Sequence, residues 1–318
     1  MIPIINFIFR RLLSVVPVLL IVGIMVFMLV HLIPGDPAAM MLGSDATIDE
    51  IQALRDKLGL SEPLPVQLVK WGGNALRGDL GDSLHYGRPV TGVIYERLEP
   101  TILLVIMAII IEMLVGIPLG IIAAINRNKL GDRLSMIISL VGVSTPSFWL
   151  GLLLILIFGI MFPIFPAVGY VPIREGGLAS AMYYLALPSF ALGLQRSAGL
   201  ARMTRSSMLD VLNNDFVRTA RAKGLTEFIV IFKHVLKNSM IPVITQIGMS
   251  VAHLLGGAVV TEKIFNIPGL GQLAIDSITR RDYPVIQAHV LLVACAYIFV
   301  NLIVDLLYSV FDPRIEYK

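Results

Sequence analysis

The chain is poor in charge. Only 15% of its 318 residues are Asp, Glu, Lys or Arg, against about 25% in a soluble domain. It has a single cysteine, Cys295, which excludes an intrachain disulfide and a cysteine-rich metal site. The histidines, His31, His85, His234, His253 and His289, are scattered without metal-ligand spacing. No G-x-x-x-x-G-K-[ST] occurs, so no phosphate loop for ATP is expected in this chain. The G-x-S-x-G and H-E-x-x-H patterns are missing too. A formal charge of +3 is too small for a nucleic-acid surface. There is no internal repeat and no low-complexity segment.

Apolar side chains fill the space. They make up 56% of the sequence, above the 45–50% of ordinary globular domains. A membrane-crossing helix needs about 20 mostly apolar residues. Six stretches qualify, near Leu12–Ile33, Thr101–Ile125, Met136–Phe162, Tyr183–Leu200, Met240–Val260 and Val285–Val310. The third is interrupted by Ser144, Thr145, Pro146 and Ser147, and the fourth carries Gln195 and Arg196. The sequence therefore predicts an all-α integral membrane protein with six transmembrane helices. The first run is too long for a secretory signal and is expected to be retained, leaving the membrane at the turn His31–Pro37.

Lysine and arginine set the direction. Arg10 and Arg11 precede the first span, and the Asn126–Ser135 loop has Arg127, Lys129 and Arg133 against Asp132. Ala201–Asn238 has seven basic and three acidic residues. Pro34–Pro100 has six basic and ten acidic ones and reads as an outer segment. Both termini, including Phe311–Lys318, are then cytoplasmic.

In the outer segment, Thr47 with Glu50 three residues on is a capping-box pattern for a helix over Thr47–Leu58. Val66–Leu76 reads as a second short helix. The segment is either a small docking surface or a lid; the plainer reading is a compact cap over the helix ends. Inside, Phe216–Lys223 has helical spacing with Gly224 as a stop. Thr226 is placed to start a second short helix over Glu227–Val235. Gly116 and Gly120 in the second span permit close helix approach. Pro146 and Pro188 are expected to kink or start their helices.

A charge inside a span costs about 2.5–3.5 kcal/mol on insertion scales. Glu112 lies about 16 Å into the second span and Arg196 about 20 Å into the fourth, at about 1.5 Å per residue. Both spans run inward, so the two reach similar depth. They either pair or line a common aqueous cavity; otherwise Arg196 snorkels to the boundary and Glu112 faces the chamber alone. With His253 and His289 they are the candidates for a substrate pathway. No paired Asp/Glu, His or Cys constellation marks a catalytic site.

Arg202-Met-Thr-Arg-Ser-Ser-Met-Leu-Asp-Val-Leu212 followed by Asp215-Phe-Val-Arg-Thr-Ala-Arg-Ala-Lys-Gly-Leu225 resembles the coupling region of permease subunits of ATP-binding-cassette (ABC) importers. The match is to the dipeptide, oligopeptide and glutathione branch. Ser144-Thr-Pro-Ser-Phe-Trp-Leu-Gly151, Glu262-Lys-Ile-Phe-Asn-Ile-Pro-Gly-Leu-Gly271, Arg281-Asp-Tyr-Pro-Val-Ile-Gln287 and Gly78-Asp-Leu-Gly81 are similar to that branch as well. Arg218-Thr-Ala220 stands where the general importer motif has Glu-Ala-Ala, with Gly224 at the right spacing. His234 and Lys237 stand where Ile and Pro are expected, and Pro242 comes five residues late.

The resemblance implies the type I importer permease fold, with residues 1–100 as an N-terminal helix and outer loop and 101–318 as the transmembrane domain. It implies that Arg218, Thr219, Ala220, Arg221, Ala222, Lys223, Gly224 and Leu225 couple to a cytosolic ATPase. The partners implied are a homologous second permease, two ABC ATPase subunits that bind ATP and Mg, an extracytoplasmic peptide-binding protein and membrane lipid. Pro34–Pro100 and Lys263–Pro284 would dock the binding protein. Within the class, a nickel or opine permease shares these motifs. Outside it, a proton-coupled secondary transporter with Glu112 as relay is the alternative.

Overall fold

A computed structural model describes residues 2–32, 37–42, 46–57 and 59–311. In order it contains α1 (Ile2–Leu32), α2 (Pro37–Leu42), α3 (Ile48–Lys57), α4 (Leu64–Leu76) and α5 (Val90–Ile125). Next come α6 (Leu130–Ser144) and α7 (Ser147–Leu154), the latter continuing in wider π-type turns over Ile155–Met161. The 40-residue α8 (Ile173–Leu212) and the short α9 (Asp215–Ala222) follow. Then come α10 (Glu227–Ile229), π-type turns over Val230–Val235, α11 (Leu236–Gly257), α12 (Val259–Ile264), α13 (Leu270–Arg280) and α14 (Tyr283–Phe311). Among the described residues the only β pairing is an isolated bridge, Asp82 with Pro89. The chain is all-helical, as the sequence predicts. Most of the turn at His31–Pro37, and the segment after Phe311, lie outside the described residues.

Among the described residues, four helices are long and apolar enough to cross a membrane: Val90–Ile125, Ile173–Leu212, Glu227–Gly256 and Tyr283–Tyr308. Leu130–Ser144 with Ser147–Met161 makes a fifth only as a pair bent by 96°. The apolar stretch Leu13–Met28 of α1 is shorter. The bend has a local cause. Thr145 precedes Pro146, whose ring pushes the residue before it out of the helical region. Thr145 is extended (φ −89°, ψ 119°), and its hydroxyl and N–H both donate to the Val141 carbonyl.

Three expected boundaries move. The second span starts at Val90 rather than Thr101, and Pro100 lies inside the helix. Residues such as Glu96, Arg97 and Glu99 make this first part too polar for a hydropathy window. The fourth span is the centre of a helical stretch reaching from Ile173 to Leu212, kinked near its start at Gly177 (φ 75°, ψ 170°). The second short helix after Gly224 is not separate, because α10 passes through the π-type turns into α11 without a break.

Two compact units form, one from Met1–Arg97 with Leu273–Cys295, the other from Leu98–Gln272 with Ala296–Lys318. In the first, α3 begins with the expected capping box. The Thr47 N–H donates to Glu50 Oε2 (2.9 Å), and the Glu50 N–H returns to Thr47 Oγ1 (3.3 Å). Those bonds hold the Glu50 carboxyl below its usual range. Trp71 of α4 packs on Phe27 of α1 with ring centroids 6.0 Å apart, and Gln67 of α4 meets His31 at 3.2 Å.

The second unit is organised on α8, against which α6, α7 and α11 pack. Its core joins Leu104, Val105 and Ala108 of α5 to Leu185, Leu187 and Leu192 of α8, with Leu254 and Phe265. Gly116 and Gly120 let α5 and α8 approach as expected. A Cβ on Gly120 would lie 2.6 Å from the Ala201 carbonyl oxygen, and one on Gly116 2.8 Å from that of Ser197. Asp132 at the start of α6 is clamped by Arg205 of α8 through bonds of 2.6 and 2.7 Å.

Candidate functional site

The segment between α8 and α11 is built around a buried seam. Val217 and Ala220 of α9 face inward and pack with Ile121, Ala124, Met208, Val230 and Val235. Arg218, Thr219, Arg221, Ala222, Lys223, Gly224 and Leu225 are exposed. The helix ends in a Schellman motif. Gly224 has φ 77°, its N–H donates to the Arg221 carbonyl (2.9 Å), and the Leu225 N–H reaches back to Ala220 (3.4 Å). A Cβ on Gly224 would meet nothing within 4 Å. Glycine is thus required here by backbone conformation and not by crowding inside the chain. Across the turn, Arg221 holds Glu227 in a two-pronged ion pair (2.7 and 3.2 Å). Arg218 sits 3.9 Å from Asp215. Ala220, one of the residues the resemblance implies for coupling, belongs to the inward face.

A second site lies where α5, α8 and α11 meet. Gly193 lets α8 approach α5 beside Ala108 and Ile111, and Gly116 makes the matching contact one turn on. Between these contacts lie Glu112 and Arg196. Glu112 is fully buried, and its Oε1 accepts a hydrogen bond from the Ser250 hydroxyl at 2.8 Å. Its Oε2 and the Arg196 Nε are buried without hydrogen-bond partners. The two side chains interact through space but make no direct ion pair. Arg196 also acts electrostatically on His253 of α11. His253 lines a cleft of about 430 Å³ with Met249, Ala252, Gly256 and Tyr297. The structure thus brings Glu112, Arg196 and His253 together. His289 belongs to the other unit, where its Nδ1 is buried without a partner.

Sequence reasoning missed Ser250, because a serine inside a span has no distinguishing pattern. It also missed two buried carboxylates inside motifs it had quoted. Glu262 accepts from Thr101 Oγ1 (2.7 Å) and the Gln272 N–H (2.9 Å), while the same Thr101 hydroxyl oxygen accepts from the Leu270 N–H (2.8 Å). The Glu262 carboxylate also fills the space a side chain on Gly269 would need. In the first unit, Asp282 accepts from the Ser83 hydroxyl (2.5 Å) and from the N–H groups of Leu84 and His85 (3.2 Å each). The Arg281-Asp-Tyr-Pro and Gly78-Asp-Leu-Gly segments are thereby joined.

Comparison with known proteins gives consistent matches. Residues 116–317 match the model for "Binding-protein-dependent transport system inner membrane component", and residues 4–110 match the N-terminal model of the same kind of component. A "Glutathione transport system permease protein GsiC" from Escherichia coli O6:H1 is 45% identical over 98% of this chain and 99% of that protein. A "Probable peptide ABC transporter permease protein y4tP" from Sinorhizobium fredii is 44% identical over 98% and 99%. Among solved structures, an inward-facing MetNI methionine ABC transporter chain superposes with a TM-score of 0.56 at 14% identity, covering 69% of this chain and 96% of that one. That likeness concerns the fold.

Proposed function

The chain belongs to the family of binding-protein-dependent transport system inner membrane components, and from this premise we propose that it forms one half of the translocation pore of an ATP-driven peptide importer. The cargo is a dipeptide, an oligopeptide or glutathione. The other half is a homologous permease. Two ABC ATPase subunits bind ATP and Mg and hydrolyse the nucleotide. An extracytoplasmic binding protein delivers the cargo to surfaces within Pro34–Pro100 and Lys263–Pro284. The chain crosses the membrane six times with both termini cytoplasmic, α1 and the bent α6–α7 pair each serving as one crossing.

The carrying observation is α9. Its inward face is fixed by Val217 and Ala220, and its outward face presents Arg218, Thr219, Arg221, Ala222 and Lys223 beside the open Gly224 turn. This outward face docks in a groove of an ATPase subunit, with Arg218 and Lys223 offering charge-assisted hydrogen bonds. Arg221 holds the turn through Glu227. ATP-driven closure of the ATPases pushes α9, and α10–α11 carries the displacement as one continuous helix to Ser250 and His253. Arg196 and His253 are the residues of the second unit that the cargo meets, with Glu112 sealed behind them.

Gly224 separates coupling from folding. Gly224→Ala strains the left-handed position by about 1–2 kcal/mol and adds no bulk. Gly224→Arg adds the same strain and projects outward. Uptake and ATP hydrolysis are measured with the whole importer in proteoliposomes. Near-normal uptake for the alanine variant, with loss of uptake and of ATPase co-purification for the arginine variant, is expected. Normal uptake by both contradicts the coupling assignment.

A further inference from the structure

The three-helix junction holds opposite charges whose accessibility differs. Glu112 is sealed, with no exposed surface, and its Oε1 is taken by Ser250. Arg196 is partly exposed, makes no direct ion pair, and keeps Nε without an acceptor. A cation left so within an apolar helix bundle is costly unless an anion or water completes its hydrogen bonds. His253 is exposed on the cleft one turn from Ser250 and lies within electrostatic reach of Arg196. Among the described residues at this junction the accessible charge is therefore the Arg196 cation, and the Glu112 carboxylate is sealed.

We propose that Arg196, assisted by His253 on the neighbouring α11–α14 cleft, receives a carboxylate of the cargo as it passes, and that Glu112 is a positioning residue. The inference rests on the reading of the chain as a peptide importer permease. Glu112 balances the Arg196 charge from behind without occupying its donors. A full Glu112–Arg196 ion pair would satisfy the guanidinium internally and leave nothing for cargo. Ser250 prevents that by holding Glu112 Oε1 toward α11. Selectivity in the membrane is thus for the carboxylate that every unblocked peptide carries, whatever its side chains.

The test uses the assembled importer in proteoliposomes, with glutathione and dialanine as probes alongside their carboxyl-terminal amides. The binding protein is preloaded to equal occupancy with acid or amide, which removes its own preference from the comparison. For whichever probe the wild type imports, the acid is expected to enter at least about tenfold faster than the amide, the scale of one charge-assisted hydrogen bond. Arg196→Gln is expected to bring the two rates together by slowing the acid. Arg196→Lys should keep part of the ratio, and His253→Gln should lower it less than Arg196→Gln does. Assembly of each variant is followed by co-purification of the ATPases. If Arg196→Gln disrupts assembly, His253→Gln, on the exposed cleft, decides alone. A wild-type ratio near one, or an unchanged ratio in the assembled variants, overturns the proposal. Absence of ATP-dependent uptake of both acids by the wild type overturns the peptide-importer reading itself, and this inference with it.

Discussion

Glu262 and Asp282 are buried carboxylates that each accept several hydrogen bonds. Each places a buried carboxylate opposite several donors, and hydrogen bonds to charged groups contribute about 1.5–3 kcal/mol each. Glu262→Gln keeps one acceptor oxygen but turns an amide N–H₂ toward a donor. A loss of about 2 kcal/mol is expected, read as a lowered Tm of the detergent-purified protein; an unchanged Tm contradicts the geometry. Asp282→Asn is expected to release the Ser83–Tyr86 turn, seen as faster hydrogen exchange at Leu84 and His85. Glu50 supplies a pH test. Hydrogen bonds from Thr47 hold its carboxyl below the ordinary carboxylate range, so its contribution is present above that range and lost as pH falls through the lower folded-state value. Protection of the first turn of α3 should fall in that acid window, and Glu50→Gln should remove the dependence. The sequence exposed Glu112 and Arg196 because a charge in an apolar run is conspicuous. It could not assign Glu262 or Asp282, whose partners lie 161 and 199 residues away.

At the scale of elements, periodicity and punctuation were informative where they were local. The α3 capping box, the α9 helix, the Gly224 stop and the break at Pro146 all stand where the sequence put them. Helix lengths were less legible, because hydropathy detects only the apolar part. The polar start of α5 and both ends of α8 escaped it. Facing was not legible: the resemblance implies coupling for all of Arg218–Leu225, yet Ala220 is buried in a seam with Met208 and Val230, contacts set by tertiary packing. The α5–α8 crossing offers a prediction. Gly120→Val would place a branched side chain against the Ala201 carbonyl and Thr204, where overpacking costs about 1–3 kcal/mol. Reduced thermal stability and reduced yield of folded protein are expected, whereas Gly72→Val, where a Cβ meets nothing within 4 Å, should be neutral in both.

The whole molecule is a transport component of the inner membrane. Large apolar side chains such as Leu20, Met25, Leu114, Ile138, Leu152 and Phe299 remain exposed, as lipid or a partner permease requires. The proposed six-crossing topology can be tested by single-cysteine labelling after Cys295→Ser. Lys223→Cys is expected to react only from the cytoplasmic side, and Lys70→Cys only from outside; labelling of both from one side contradicts the topology. The central claim concerns assembly. A mild-detergent pull-down of the chain from its native membrane, with the partners identified by mass, tests it most directly. Recovery of a second, homologous permease together with two P-loop ATPase subunits is expected. Recovery of the chain alone, or as a homodimer that still transports without ATP, would contradict the account.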